Sequence, residues 1–328
     1  MLTGKRVVFV EKGVVKVEDF QVKEPGPKEV LVKSISTLIS SGTEGAFLMA
    51  LPNTPQTFPQ YPGYSNAGMI ESVGSEVKWL SRGERVVSWA NHASHALTVA
   101  EGLFKIPESL SFDEASFFAL ASISLQGIRR AEIELGDSVA IIGQGLVGQL
   151  ALQLAKLSGA TPLIAIDLVD GRLEISKKSG ADFTINPKKQ DLENEVRSVT
   201  EGRGANVVVE ATGNPEAIPI AFKISSANGR VVLLGSPRGW SNINFYPEVH
   251  RKAILVIGAH NSMRPKFESY HGHWTEKDDV GLLLKLMSQG RLDVKRLIGN
   301  KVSYKEAPEA YRQAIGKGSL GIILDWTG

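Results

Sequence analysis

Residues 138–167, SVAIIGQGLVGQLALQLAKLSGATPLIAID, decide the fold. Ser138–Ile142 and Pro162–Ile166 are short apolar runs, too continuous for strands with one wet face. Between them Val147, Leu150, Ala151, Leu154 and Leu157 recur at helical spacing, and Gly159 stops the helix. The stretch therefore reads as strand, glycine turn, helix, strand. Further strands follow at DFTI (182–185), NVVVEA (206–211), RVVLL (230–234) and AILVI (253–257). Asn214 with Pro215 predicts the capped start of a helix over 214–225. Six strands with four helical patterns predict an α/β fold, a doubly wound parallel sheet covered on both faces. Residues 236–252, between the last two strands, read as loop and extended chain.

Upstream the rhythm differs. Short runs at 7–10, 14–20, 29–35, 68–74, 84–89 and 95–100 alternate with turns such as Pro25-Gly26-Pro27 and Pro62-Gly63, which favours a β barrel or sandwich. Ser111, with Glu114 three residues on, is a capping box opening one long helix through Ala131. Downstream, a helix over 279–289, a strand near Lys301–Ser303, a helix from Ala307 and a last strand GIILDW form a tail too small for a domain. It is expected to pack back on the amino-terminal β region.

Composition narrows the function. The 328 residues suffice for two domains, and 42% hydrophobic with 22% charged residues is a globular balance. Lys plus Arg number 37 against 35 Asp plus Glu, so no broad basic face invites nucleic acid or an anionic membrane. The first residues, MLTGKRVVFVEKG, hold too short an apolar run for a signal peptide, and no stretch is apolar enough to span a bilayer. Cysteine is absent, which excludes disulfides, thiolate nucleophiles and cysteine-held metals. A cytoplasmic enzyme is the expectation.

Gly143-Gln144-Gly145-Leu146-Val147-Gly148 follows a strand and opens a helix. In such a turn the first glycine allows the bend, the second lets backbone approach a pyrophosphate, and the third allows helix and strand to pack closely. The helix amino terminus adds unpaired N–H groups and a positive dipole end. Asp167 ends the next strand, 19 residues after Gly148. A carboxylate there accepts hydrogen bonds from an adenosine ribose and repels a 2′-phosphate, which favours NAD over NADP. Leu168 offers no positive charge beside it.

The turn GQGLVG, the run AKLSGATPLIAIDLVDGRLEISKKSGADFTINP, the segment GRGANVVVEATGNPEAI and the strand end VVLLGSP carry a resemblance that extends nearly end to end. By it the chain resembles the medium-chain dehydrogenase/reductase family. The resemblance implies a chaperonin-10-like β-rich substrate domain over 1–121 and 260–328, and a Rossmann NAD-binding domain over 122–259. It adds Arg172, Thr212, Gly235 and Ser236 to the cofactor contacts, and it implies a homodimer, with Asn242–Tyr246 and the strand 253–257 pairing across the sheet edge. In most alcohol and polyol dehydrogenases of that family Cys, His and sometimes Glu hold a zinc. The Cys-Gly-Thr-Asp segment corresponds here to Ser41-Gly42-Thr43-Glu44, the Gly-His-Glu segment to Gly63-Tyr64-Ser65, and the third ligand falls near Leu120. Every ligand is replaced, and residues 90–105 run straight through the place of the structural zinc lobe, so no metal is expected. Segments such as ISSGTEG and YPGYSNAGMIESVG are similar to zinc-free dehydrogenases of sugar biosynthesis and to the enzyme that oxidises the hydroxyethyl side chain of bacteriochlorophyllide.

The expected activity is zinc-independent, NAD-dependent oxidation of a secondary alcohol to a ketone, or the reverse. Reduction of a quinone or enone is a second reading, and a non-catalytic nucleotide-binding protein a third. Thr43 matches the family's proton-relay position, although the histidine that continues that relay corresponds to Ala46. Ser41 and Tyr64 are expected to hold the substrate oxygen, with Tyr64 as acid/base or as a filler of the space zinc would take. Glu44 is read as structural, and His92 and His95 as barrel-edge residues. His260 and Asn261 follow the strand end that binds the cofactor carboxamide in the family, and with His271 and Trp274 they are the candidate substrate contacts.

Overall fold

The computed structural model describes residues 2–265, 274–316 and 320–328. The chain divides into two units, Met1–Leu120 with Lys277–Gly328, and Ala121–Glu276. Residues 260–265 and 274–276, which the sequence groups with the β-rich domain, cluster with the second unit.

In the first unit β1 (Thr3–Glu11) pairs antiparallel with β2 (Val14–Gln21). A mixed sheet then takes β3 (Glu29–Leu38), β4 (Asn66–Val73), β5 (Arg85–Ser88), β6 (His95–Val99) and β7 (Phe104–Lys105), with α1 (Ser41–Leu48) between β3 and β4. The helix expected over 111–131 is two: α2 (Phe112–Ala115), opened by the capping box, and α3 (Phe118–Ala131). The break has a local cause. The Ser116 carbonyl accepts a hydrogen bond from the Ser65 hydroxyl, and the Phe117 ring is wholly buried, so the chain turns at both residues.

The second unit alternates β8 (Val139–Ile142), α4 (Leu146–Leu157), β9 (Leu163–Ile166), α5 (Asp170–Lys178), β10 (Phe183–Ile185), α6 (Leu192–Val199), β11 (Ala205–Glu210), α7 (Ala217–Ile224), β12 (Ser225–Leu233) and β13 (Leu255–Gly258). Among the described residues six strands form one parallel sheet in the order β10-β9-β8-β11-β12-β13. The order reverses between β8 and β11, so the carboxyl end of β8 is where an open α/β sheet leaves a ligand crevice. Apolar residues on alternate strand positions pack against α6 and α7, with Ile164, Val208 and Phe222 at the centre. Helix α7 begins later than Asn214. That residue's Oδ1 accepts from the Glu216 N–H at 3.1 Å, a side-chain turn that delays the helix.

The chain returns to the first unit through α8 (Glu276–Ser288), β14 (Ile298–Ser303), α9 (Ala307–Ile315) and β15 (Gly321–Asp325). β15 pairs with β3 and with β14, and Ile322, Leu324 and Trp326 join Phe9, Ile39 and Tyr311 in one core. Among the described residues no helix is long and apolar enough to cross a membrane.

Candidate active site

In the parallel-sheet unit the glycines of the turn each face a different constraint. Gly143 has φ +90°, and a Cβ on it would meet the Thr212 methyl at 2.5 Å. A Cβ on Gly148 would meet the Gly143 carbonyl oxygen at 1.8 Å, so helix and turn are in backbone contact there. Around Gly145, by contrast, a Cβ would meet nothing within 4 Å. Gly145 is the N-cap of α4, and no side chain caps that helix. Open space above an uncapped helix start suits a pyrophosphate.

Leu146 and Gln144 turn inward; the buried Gln144 amide donates to the Ile141 carbonyl at 2.8 Å and accepts from Ser176 at 3.0 Å. Val147 gives its carbonyl to the Ser124 hydroxyl at 2.9 Å. Asp167 is buried at the end of β9. Its Oδ2 accepts from the Gln144 N–H at 2.6 Å, its Oδ1 from the Val169 N–H at 2.9 Å, and Arg172 lies 3.8 Å away. One carboxylate therefore ties the glycine turn to the start of α5.

A second buried carboxylate, missed from sequence, sits at the end of β11. Glu210 accepts from the Thr212 N–H at 2.7 Å, from the Thr212 hydroxyl and from the Gly213 N–H at 3.3 Å. Burial pushes its carboxyl up, and the bonds from Thr212 and Gly213 oppose that shift. A Cβ on Gly235 would meet the Gly213 nitrogen at 2.2 Å and the Glu210 carboxylate at 2.9 Å, and Ser236 beyond it is exposed. Thr212, Gly235 and Ser236 thus share one loop cluster around Glu210. The signal in the sequence was an acid ending an otherwise apolar strand, the same pattern that marks Asp167.

The candidate substrate contacts are held separately. His260 is exposed and caps a short turn, its Nδ1 2.7 Å from the Ser262 hydroxyl. Asn261 accepts from the buried Arg264 guanidinium at 2.8 Å, and Arg264 also donates to the Ser122 hydroxyl. The Arg129 guanidinium lies 3.7 Å from the centre of the Trp274 ring, and Trp274 has φ +72°. His271 lies outside the described residues.

In the β-rich unit Ser41 and Thr43 occupy the first turn of α1, half-buried, and their hydroxyls make no hydrogen bond among the described residues. Tyr64 is half-buried too. Its hydroxyl donates to Ser40 Oγ at 2.5 Å and its ring stacks on Trp89 at 6.4 Å. Glu44 points inward, and His92 is fully buried beside it. The donors set the direction of the network. Trp326 Nε1–H donates to Thr37 Oγ1 at 2.9 Å, and the Thr37 hydroxyl donates to His92 Nδ1 at 2.7 Å. His92 Nε2–H then donates to Glu44 Oε2 at 3.0 Å, the Tyr311 hydroxyl donates to the same oxygen, and the Ser40 N–H donates to Glu44 Oε1 at 2.8 Å. Burial pushes the Tyr311 phenol well above its ordinary value, and the Glu44 carboxylate reinforces the shift. His92 is therefore a central buried group, not the edge residue expected. Its only trace in sequence was distant: Gly63 has φ +97°, and a Cβ there would meet the His92 nitrogen at 2.5 Å.

Zinc in a dehydrogenase site needs thiolate, imidazole or carboxylate donors. The matching positions here carry the Ser41 hydroxyl, the Tyr64 phenol and the buried hydrocarbon of Leu120, a set that does not fit the ion.

The zinc-binding dehydrogenase family matches residues 147–274. A D-guloside 3-dehydrogenase of Escherichia coli is 25% identical over 90% of this chain and 87% of its own length. The sorbitol dehydrogenase of Bacillus subtilis is 29% identical over 95% of this chain and 93% of its own. Among solved structures, a Sinorhizobium meliloti protein of the zinc-binding dehydrogenase type, bound to NADP, superposes with a TM-score of 0.84 at 22% identity, covering 99% of this chain and 100% of that one.

Proposed function

The chain belongs to the medium-chain dehydrogenase/reductase family, and on that premise we propose that it is a zinc-independent, NAD-dependent dehydrogenase that interconverts a secondary alcohol of the sugar or polyol kind and its ketone. It is an oxidoreductase acting on CH–OH groups. The observation that carries the reading is the open, uncapped glycine turn at Gly145 with Asp167 fastened to it. A nicotinamide dinucleotide held there by the glycine turn and Asp167 would supply the hydride acceptor for the carbinol carbon.

The protein's own groups do the rest. Gly143–Gly148 and the start of α4 receive the pyrophosphate, Asp167 the adenosine ribose, and Thr43, Tyr64 and Ser41 hold the substrate oxygen and handle its proton. The carboxylate of Asp167 favours NAD. The balanced charge of +2 supports a small-molecule substrate with no nucleic acid or membrane partner, and the absence of cysteine supports a cytoplasmic setting. A homodimer joined through β13 completes the proposal.

The test is the near-ultraviolet absorbance of reduced nicotinamide over a panel of secondary alcohols, polyols and quinones, with NAD and NADP, with and without chelator. The expected result is alcohol oxidation with NAD that chelation leaves unchanged. Quinone reduction alone overturns the reaction, NADP preference overturns the cofactor, and loss of activity with chelator overturns zinc independence.

A further inference from the structure

A serine at the N-cap of a helix ordinarily turns its hydroxyl oxygen onto the first-turn N–H groups. Ser40 stands at the N-cap of α1, yet its side chain makes no cap hydrogen bond. The Glu44 carboxylate takes the Ser40 N–H instead, at 2.8 Å, while Tyr311 and His92 clamp Glu44 from the other side. Ser40 is 4% exposed, and the partner of its hydroxyl among the described residues is Tyr64 Oη, at 2.5 Å. A capping serine has been freed from capping and held rigidly against a phenol.

We propose that Ser40 is the positioning residue of a Ser40–Tyr64 proton pair, in which Tyr64 takes the proton of the substrate hydroxyl and the Ser40 hydroxyl stabilises the phenolate that must be present to take it. The inference rests on the dehydrogenase reading and deepens it. While Tyr64 is a phenol it donates to Ser40 Oγ. When Tyr64 is a phenolate the Ser40 hydroxyl rotates and donates to it, the charge-assisted form of the same bond. In oxidation the substrate O–H bond breaks, its proton passes to the Tyr64 oxygen, and the carbinol C–H pair leaves as hydride to the oxidised nicotinamide. Ser40 then turns back to accept. The pair sits where the family places a metal ligand, and it supplies a base where no ion fits. The ionisable groups around it are Glu44 from α1, His92 from the loop before β6, and Tyr311 from α9. Those three are bonded to one another through the Glu44 carboxylate, while the Ser40 hydroxyl is bonded to Tyr64 itself.

The experiment follows phenolate absorbance against pH in the full-length, cofactor-free protein. Subtracting the Tyr64→Phe curve isolates the ionisation of Tyr64. In Ser40→Ala that step is expected to move to higher pH by about one unit, the tenfold worth of one lost charge-assisted bond, and Ser40→Thr restores it. Ser40→Gly removes the same hydroxyl, keeps the N–H that Glu44 holds, and serves if the alanine variant does not fold. The acid limb of kcat/KM for alcohol oxidation is expected to move with the titration. A Tyr64 step that stays in place without the Ser40 hydroxyl, or moves equally in Ser40→Thr, overturns the pair. If the titration moves but no alcohol is oxidised by the unaltered protein, the pair stands and the dehydrogenase reading falls.

Discussion

Tyr64 and Thr43 carry the proposed chemistry at the residue scale, and they differ in how tightly they are held. Tyr64 is pinned between Trp89 and Ser40, whereas the Thr43 hydroxyl has no partner among the described residues and remains available to a ligand. A hydroxyl that moves or holds a proton contributes about 10²–10⁴-fold to turnover. Tyr64→Phe and Thr43→Ala are each expected to lower kcat by factors of that order while affinity for reduced nicotinamide dinucleotide, read by fluorescence titration, stays the same. Full activity in both variants would remove them from the mechanism. Asp167 invites a different comparison. Because its two oxygens already receive the Gln144 and Val169 N–H groups, Asp167→Ser loosens the turn as well as removing the charge. Both cofactors should bind more weakly, NADH losing more, so that the preference over NADPH narrows by about tenfold, well within what a charge about 4 Å from a phosphate supplies. Equal losses for the two cofactors would show that Asp167 acts on the turn alone. The glycine turn and Asp167 were legible in sequence because their spacing is local. The Glu44–His92–Tyr311 cluster was not, since its members lie 48 and 267 residues apart in the chain and meet only through packing.

Elements follow their sequence where burial is uniform and depart from it where one side chain intervenes. Strands β8, β9 and β11 were readable from continuous apolar runs because their side chains are buried on both faces. The division of residues 111–131 into α2 and α3 was not, since Ser65, far upstream, draws the Ser116 carbonyl out of the helix. Likewise Asn214 looks like an N-cap but spends its oxygen on a turn before α7. The loop between β11 and α7 is instead built on Glu210, and this makes the loop sensitive to pH. Burial raises the Glu210 carboxyl above its ordinary 4.5, so the folded protein binds that proton more tightly than the unfolded chain does. The stability it contributes is complete below pH 4.5 and is lost as pH rises through the raised value. Glu210→Gln cannot titrate. It is expected to cost about 1–2 kcal/mol at acid pH through a poorer bond to Gly213, and to close that gap as pH rises from 4.5 through the raised value. Thermal melts of both proteins across that window would check it, and a constant difference in Tm would refute the assignment.

At the scale of the whole molecule the open question is where the parallel sheet ends. β13 is its last strand and pairs with β12 on one side only among the described residues. Edge strands that stay exposed are usually short, charged or covered. β13 is uncharged, its Leu255 is 60% exposed, and Phe245, Tyr246 and Trp240 nearby in sequence are exposed as well. A free edge flanked by exposed apolar side chains is a liability for a monomer, and a second copy related by a two-fold axis removes it by continuing the sheet. Sedimentation at micromolar concentration is therefore expected to give a species of twice 35.4 kDa. In such an interface only residues near the two-fold axis lie beside their own copies, so Val256→Lys, inside the short β13, places two like charges close together across it and should yield monomers, with the mixed sheet of the other unit untouched. A single 35.4 kDa species for the unaltered chain, or a dimer that survives Val256→Lys, would place the contact elsewhere or remove it.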